Sequence, residues 1–204
     1  MNYSEIKNYK GLIFDLDGTL INSMPYHALA WKQVAYEHGF DIDVNDIYAM
    51  GGSASRDIAA FYKNKGEPVG DIDEYVKRKI DIFQENIPKI EVFQKIFNEL
   101  KEAKSLGIRI AIGTGTRTAN ATRILKEKDL FDYIDALVTA DDVTRHKPNP
   151  DTFLVAAKRL ELEPQDCLVF EDGQLGIKAA LRGGFDCIEV KDNEMINYFE
   201  CDRY

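Results

Sequence analysis

The sequence predicts an α/β protein: a doubly wound parallel sheet with helices on both faces and an all-helical module inserted after the first strand. Three observations predict it. Short apolar runs ending in Asp, Gly or Thr recur at residues 11–16, 108–113, 136–139, 167–171 and 187–190, the pattern of strands buried on both faces. Helical patterns at 118–128 and 152–160 lie between the later runs, so strand and helix alternate. From 22 to 86 the alternation stops, and amphipathic helical patterns at 27–38, 56–65 and 72–84 appear with no convincing strand.

The division that follows is a core of residues 1–21 and 87–204 with a helical module of 22–86. Gly51 with Gly52, and Gly66 with Glu67 and Pro68, are turn signals that separate the module's helices. Its insertion directly after the first strand places it over that strand's carboxyl end, where open α/β sheets bind ligands.

Composition narrows the functional classes. With 204 residues, 45% apolar and 30% charged, the chain is long enough to bury a core. Its longest apolar stretches reach about half a dozen residues, against roughly 20 for a membrane span. The amino-terminal segment lacks a hydrophobic signal core, and a cytoplasmic location is expected. A net charge of -9 repels nucleic acid and anionic membranes, so neither is expected as a partner. Cys167, Cys187 and Cys201 form an odd set without CxxC spacing, which reads as reduced structural thiols. A monomer is expected.

Four segments carry chemistry. The first run ends Phe14-Asp15-Leu16-Asp17-Gly18-Thr19, two carboxylates at the tip of a buried strand. Burial and mutual repulsion drive such acids towards neutrality unless a cation holds them, and Mg²⁺ prefers hard oxygen ligands. The plain alternative is a capped turn. The second run ends Ile112-Gly113-Thr114-Gly115-Thr116, where small residues let backbone amides and the Thr114 hydroxyl approach a phosphate oxygen at a helix start. A structural turn with an N-cap threonine fits as well.

Further on, His146-Lys147-Pro148-Asn149-Pro150 fixes one ammonium beside the strand ends, where it can neutralise phosphoryl oxygens. The fourth run ends Val169-Phe170-Glu171-Asp172-Gly173, paired acids after a second buried strand. Two acid-tipped strands point to a metal site, with helix capping by Asp172 as the alternative.

In this order the segments resemble the haloacid dehalogenase superfamily of phosphotransferases, over almost the whole chain. The family pattern of DxDGT, Thr or Ser, Lys-Pro and Glu-Asp is matched at Asp15 and Asp17, Thr114, Lys147, and Glu171 and Asp172. Local segments are most similar to the β-phosphoglucomutase-like branch, closest to its bacterial fructose-1-phosphatase-like members. Gly173 departs from the Ala or Ser more usual there. The resemblance implies a Rossmann-like core of five or more parallel strands with a helical cap, and a small phosphorylated sugar as substrate.

It also implies the roles. Asp15 is the nucleophile that becomes an aspartyl phosphate, and Asp17 is acid and then base. Thr114, Gly115 and Lys147 bind phosphate. Mg²⁺ is held by Asp15, the main-chain carbonyl of Asp17, Asp172 and, directly or through water, Glu171. In the cap, His27, Arg56 and Lys79 match positions that bind sugar phosphate or move the cap. Against this, residues 77–79 read as a solvated Lys-Arg-Lys face, and His27 beside Tyr26 and Trp31 reads equally as packed core. The register of Arg56 is loosened by one extra residue in the preceding loop.

Hydrolysis is the leading expectation, because the resembled phosphatases usually carry Thr at the position of Thr19 and the mutases Val. A hexose-phosphate mutase is the second reading and a non-catalytic sugar-phosphate sensor the third. The presence of Asp17 argues against a dehalogenase.

Overall fold

The computed structural model describes residues 3–202. Five parallel strands, β1 (Gly11–Phe14), β2 (Arg109–Gly113), β3 (Ala136–Val138), β4 (Cys167–Glu171) and β5 (Asp186–Lys191), are extended by an antiparallel edge strand, β6 (Glu194–Phe199). Their order is β3-β2-β1-β4-β5-β6. β1 therefore lies between β2 and β4, with Phe14 in register with both Ile112 and Phe170. The chain segments leaving β1, β2 and β4 consequently emerge side by side at one edge.

The period-two alternation of a strand explains the two layers. Ile13 faces a cluster with Val169 of β4 and with Phe153, Ala156 and Ile177, on helices α7 (Asp151–Arg159) and α8 (Gln174–Arg182). Leu12 and Phe14 face the other cluster with Ile96, Leu100, Ile124 and Leu125, on α5 (Gln94–Ser105) and α6 (Thr118–Glu127). The Phe14 and Phe170 rings stack at 4.4 Å, which packs neighbouring strands together just below the acids.

Between β1 and α5 come α1 (Met24–Glu37), α2 (Val44–Ala49), α3 (Ser55–Asn64) and α4 (Ile72–Gln84). Side-chain caps start two of them. Asp43 accepts from the Asn45 amide ahead of α2, and Asp71 from the Asp73 and Glu74 amides ahead of α4, each satisfying amides left open at a helix start. Gly52 and Gly66 both take positive φ, at the two expected turns.

The two crossings between sheet and helices are tied to each other. Ile21 bridges Val92, the Asn22 amide donates to the Glu91 carbonyl at 2.8 Å, and the Phe93 amide donates to the Leu20 carbonyl at 2.9 Å.

Several boundaries differ from the sequence reading. The first strand stops at Phe14, leaving Asp15 to Asp17 in the following loop. Helices α2 and α5 and strand β6 were not expected. The β5–β6 connection is a two-residue turn in which Asp192 and Asn193 both have positive φ, the geometry of a tight hairpin. The three cysteines are buried and unpaired, as expected. Among the described residues no helix is long and apolar enough to cross a membrane.

Candidate active site

Asp15 and Asp17 leave β1 in different directions and meet different partners. Asp15 is 2% exposed, and its Oδ1 accepts from Lys147 Nζ at 2.6 Å. Lys147, itself buried, lies 3.5 Å from Glu171 Oε1. Asp15, Glu171 and Asp172 bring carboxylate oxygens within 4.8 Å of one another, so the segments after β1 and β4 form one acidic cluster. Thr19 donates to Asp172 at 3.1 Å, fixing one oxygen of that carboxylate.

Three acids around one ammonium leave negative charge uncompensated. Burial, partly offset by Lys147, pushes Asp15 up to about 6 and Asp172 up to about 7. Glu171 is driven well above the usual carboxylate range, first by burial and then by Asp15. Burial opposes the charge on Lys147, but Asp15 and Glu171 outweigh it and hold the lysine above its ordinary value. Glu171 Oε2 is buried without a hydrogen-bond partner. An orphaned oxygen within such a cluster is the environment that a divalent cation with oxygen ligands would satisfy.

Asp17 faces away from this cluster towards the helices. Oδ1 accepts from Ser23 at 2.6 Å and lies 3.1 Å from His27 Nε2, while Oδ2 accepts from Thr116 at 2.6 Å, with Thr114 at 3.4 Å. Burial alone raises its pKa, yet His27 and the hydroxyls of Ser23 and Thr116 prevail and hold Asp17 well below the usual range. Ser23 occupies the N-cap of α1 without capping it, its hydroxyl being engaged by Asp17 instead.

His27 stacks on Phe83 at 4.0 Å, and its Nδ1 lies 2.8 Å from Lys79 Nζ. An ammonium has donors only. Nδ1 is therefore the acceptor and Nε2–H the donor to Asp17, a tautomer assigned from its partners. Burial, followed by the charge of Lys79, depresses the His27 pKa, consistent with a neutral ring. A buried relay thus runs Lys79–His27–Asp17.

Lys79 corrects the sequence reading of a solvated Lys-Arg-Lys face. It is 3% exposed, whereas Arg78 is on the surface, paired with Glu37. His27 is no inert packed ring, since both its nitrogens are engaged. Arg56 stands apart from this group: it is exposed and forms an ion pair with Asp73 at the rim.

Asp15, Asp17, Thr114, His27 and Lys79 line a cavity of about 50 Å³. It shares His27, Ser55, Lys79, Gly115 and Thr116 with a cleft of about 310 Å³ between α3, α4 and the loops after β2 and β3, within the size of small-ligand sites. The helical module closes the top. A Cβ on Gly115 would lie 2.7 Å from the Gly52 carbonyl oxygen, and one on Gly173 3.1 Å from that of Gly51. The first position therefore favours glycine, and the second leaves little room for a side chain.

Sequence reasoning missed Ser23 and Thr116 as partners of Asp17, and Thr19 as a partner of Asp172. Thr116 had a readable signal, a second hydroxyl two residues after Thr114 in the same small-residue loop. Ser23 had none beyond its place at the crossing.

The fold and the site fit a phosphoric monoester hydrolase with an α/β core and a helical cover, and comparison with known proteins agrees. Residues 12–190 match the family described as haloacid dehalogenase-like hydrolase, and the chain belongs to that family. It is 33% identical to the fructose-1-phosphate phosphatase YqaB of Escherichia coli over 91% of this chain and 98% of that one. It is 31% identical to the β-phosphoglucomutase of Bacillus subtilis over 89% and 83%. In fold it is similar to β-phosphoglucomutase from Clostridium difficile, with a TM-score of 0.82 at 24% identity over 90% and 85% of the two chains.

Proposed function

We propose that the protein is a magnesium-dependent phosphatase of small sugar phosphates, fructose 1-phosphate among them, working in the cytoplasm through an aspartyl phosphate on Asp15. The observation that carries the reading is the separation of the two acids: Asp15 lies on the Lys147 side of the cavity, and Asp17 lies under His27 and Lys79 beside the cleft. One carboxylate addresses phosphorus and the other the leaving group. The relatives named as fructose-1-phosphate phosphatase and β-phosphoglucomutase support the same substrate class.

Phosphate transfer depends mainly on positioning and charge neutralisation. Thr114, Gly115 and Lys147 hold the phosphoryl oxygens, and Lys147 also orients Asp15. Asp15 attacks in line: its Oδ–P bond forms as the P–O bond to the sugar breaks, and a proton passes from Asp17 to the sugar oxygen. Asp17 then takes a proton from the water that hydrolyses the intermediate. In the free site Asp17 is held as the anion, the form for this second half. The first half uses the proton that a bound phosphate dianion draws to it, because a nearby like charge raises a carboxylate pKa. Asp15, Glu171, Asp172 and the main-chain carbonyl of Asp17 would hold Mg²⁺, which when bound supplies positive charge against the phosphoryl oxygens and the acid cluster.

The test is a phosphate-release screen over a few dozen sugar phosphates, with Mg²⁺, with chelator, and with Asp15→Asn. Release that needs Mg²⁺ and falls more than about a hundredfold in the variant is expected. Full activity in chelator removes the metal from the reading, and an active Asp15→Asn variant removes the covalent step. A sugar phosphate isomerised without phosphate release would instead favour the mutase reading.

A further inference from the structure

The far end of the cleft is lined by Arg56, Asp57, Arg117, Asp141, Thr144 and His146, and its cations are already engaged. Arg56 pairs with Asp73. Arg117 Nε lies 3.5 Å from Asp141 Oδ1, and the other Asp141 oxygen accepts from the Thr118 amide at 2.9 Å, the first residue of α6. An arginine beside open helix amides is where an anionic group on a ligand would settle. Here the chain's own carboxylate occupies that position. Asp57 adds a second carboxylate to the lining of this end.

We infer that Asp141 is a specificity-determining residue that requires the distal end of the substrate to be uncharged, and so restricts the site to sugar monophosphates. The inference rests on the sugar-phosphatase reading and narrows it. Like charges brought together across a binding site disfavour the wrong ligand, whereas sugar hydroxyls can hydrogen-bond to a carboxylate without that conflict.

The same carboxylate bears on the fate of the phosphoenzyme. Transfer to a second sugar monophosphate would form a new O–P bond at its hydroxyl, break the Asp15 Oδ–P bond, send the hydroxyl proton to Asp17 and leave a bisphosphate. One phosphate of that product would lie at the distal end, against Asp141. Transfer to water creates no second charged group, so Asp141 favours hydrolysis over mutase chemistry.

The experiment compares kcat/KM of the Mg²⁺-loaded full chain for fructose 1-phosphate and fructose 1,6-bisphosphate, in the wild type and in Asp141→Asn, which retains an acceptor for the Thr118 amide. The wild type should prefer the monophosphate by about tenfold or more at low salt, with the preference narrowing at high salt because these charges are exposed. The variant should lower that preference by about tenfold, the gain falling on the bisphosphate. Equal wild-type use of both substrates, or a variant that changes both alike, overturns the inference, and the wild-type comparison needs no variant to fold. Failure to release phosphate from any sugar monophosphate would instead overturn the sugar-phosphatase reading on which it rests.

Discussion

Replacing Lys79 with methionine should make the protein more stable and less active. The Lys79 ammonium is buried against an imidazole and the rings of Trp31 and Phe83, each 5.1 Å from Nζ. Burial pushes its pKa down from 10.5 to about 8, although Asp17 pulls it back up. At about 1.4 kcal/mol per pKa unit, keeping this group charged costs the native state about 3 kcal/mol. Methionine has similar length and removes the charge, at the loss of a charge-assisted hydrogen bond to His27 worth about 2 kcal/mol. A net gain of about 1 kcal/mol remains, or about 2–4 °C in Tm for a chain of this size.

The sign against pH follows from a folded pKa below the unfolded one. The cost is fully present below pH 8 and disappears as pH rises from about 8 to 10.5, because the folded protein releases this proton before the unfolded chain does. Near pH 9.5 it should have fallen to about 1.4 kcal/mol, and the advantage of the variant should vanish. Thermal unfolding of both proteins at pH 7 and pH 9.5 reads this directly. Turnover of the best sugar phosphate should fall in the same variant, since Nδ1 of His27 then loses the donor that backs its hydrogen bond to Asp17. A Tm at pH 7 that stays level or drops, or a gain that persists unchanged at pH 9.5, would refute the reasoning.

Two other perturbations probe the two sides of the site. His27→Ala should lower kcat/KM for the best sugar phosphate by about tenfold or more, the worth of one hydrogen bond to a charged group. Hydrolysis of p-nitrophenyl phosphate, whose leaving group needs little protonation, should change much less, and equal losses on both would place His27 in general packing. Gly176→Ala should be unusually harmful for a helix position, because its Cβ would overlap the Glu171 side chain. We expect about 1–3 kcal/mol of lost stability from overpacking, together with weaker Mg²⁺ binding by calorimetry. Wild-type values for both would show that Glu171 can move freely.

The acid-tipped strands were legible because buried parallel strands announce themselves as apolar runs, and an acid at the end of one stands out against them. Asp15, Lys147, Glu171 and Asp172 come together as those runs implied. Lys79 was misread because three adjacent charges suggest a solvated face, yet successive helical residues point about 100° apart. The informative spacing was Tyr75, Lys79 and Phe83, one side of α4 at intervals of four, with both aromatic positions buried. Strand β6 was illegible as a run because most of its residues are exposed or half-exposed. Its real signal was Asp192-Asn193, a pair able to take positive φ at a tight turn. The distal rim depends on pairings across the fold, Arg56 with Asp73 and Arg117 with Asp141, which no local pattern encodes.

The paired crossings at Ile21 and Val92 have a mechanical consequence. Two segments laced by hydrogen bonds resist twisting separately, so any motion of helices α1 to α4 would have to bend both crossings together, as a hatch on a leaf spring. Ser23 and His27 begin immediately beyond that spring, while Asp17 remains on the frame below it. Swinging the hatch up would lift the glycine latch at Gly51 and Gly52 from Gly115 and Gly173 and separate His27 from Asp17 in the same stroke. On the proposed mechanism, Asp17 would then have all its partners for proton transfer only while the hatch is shut.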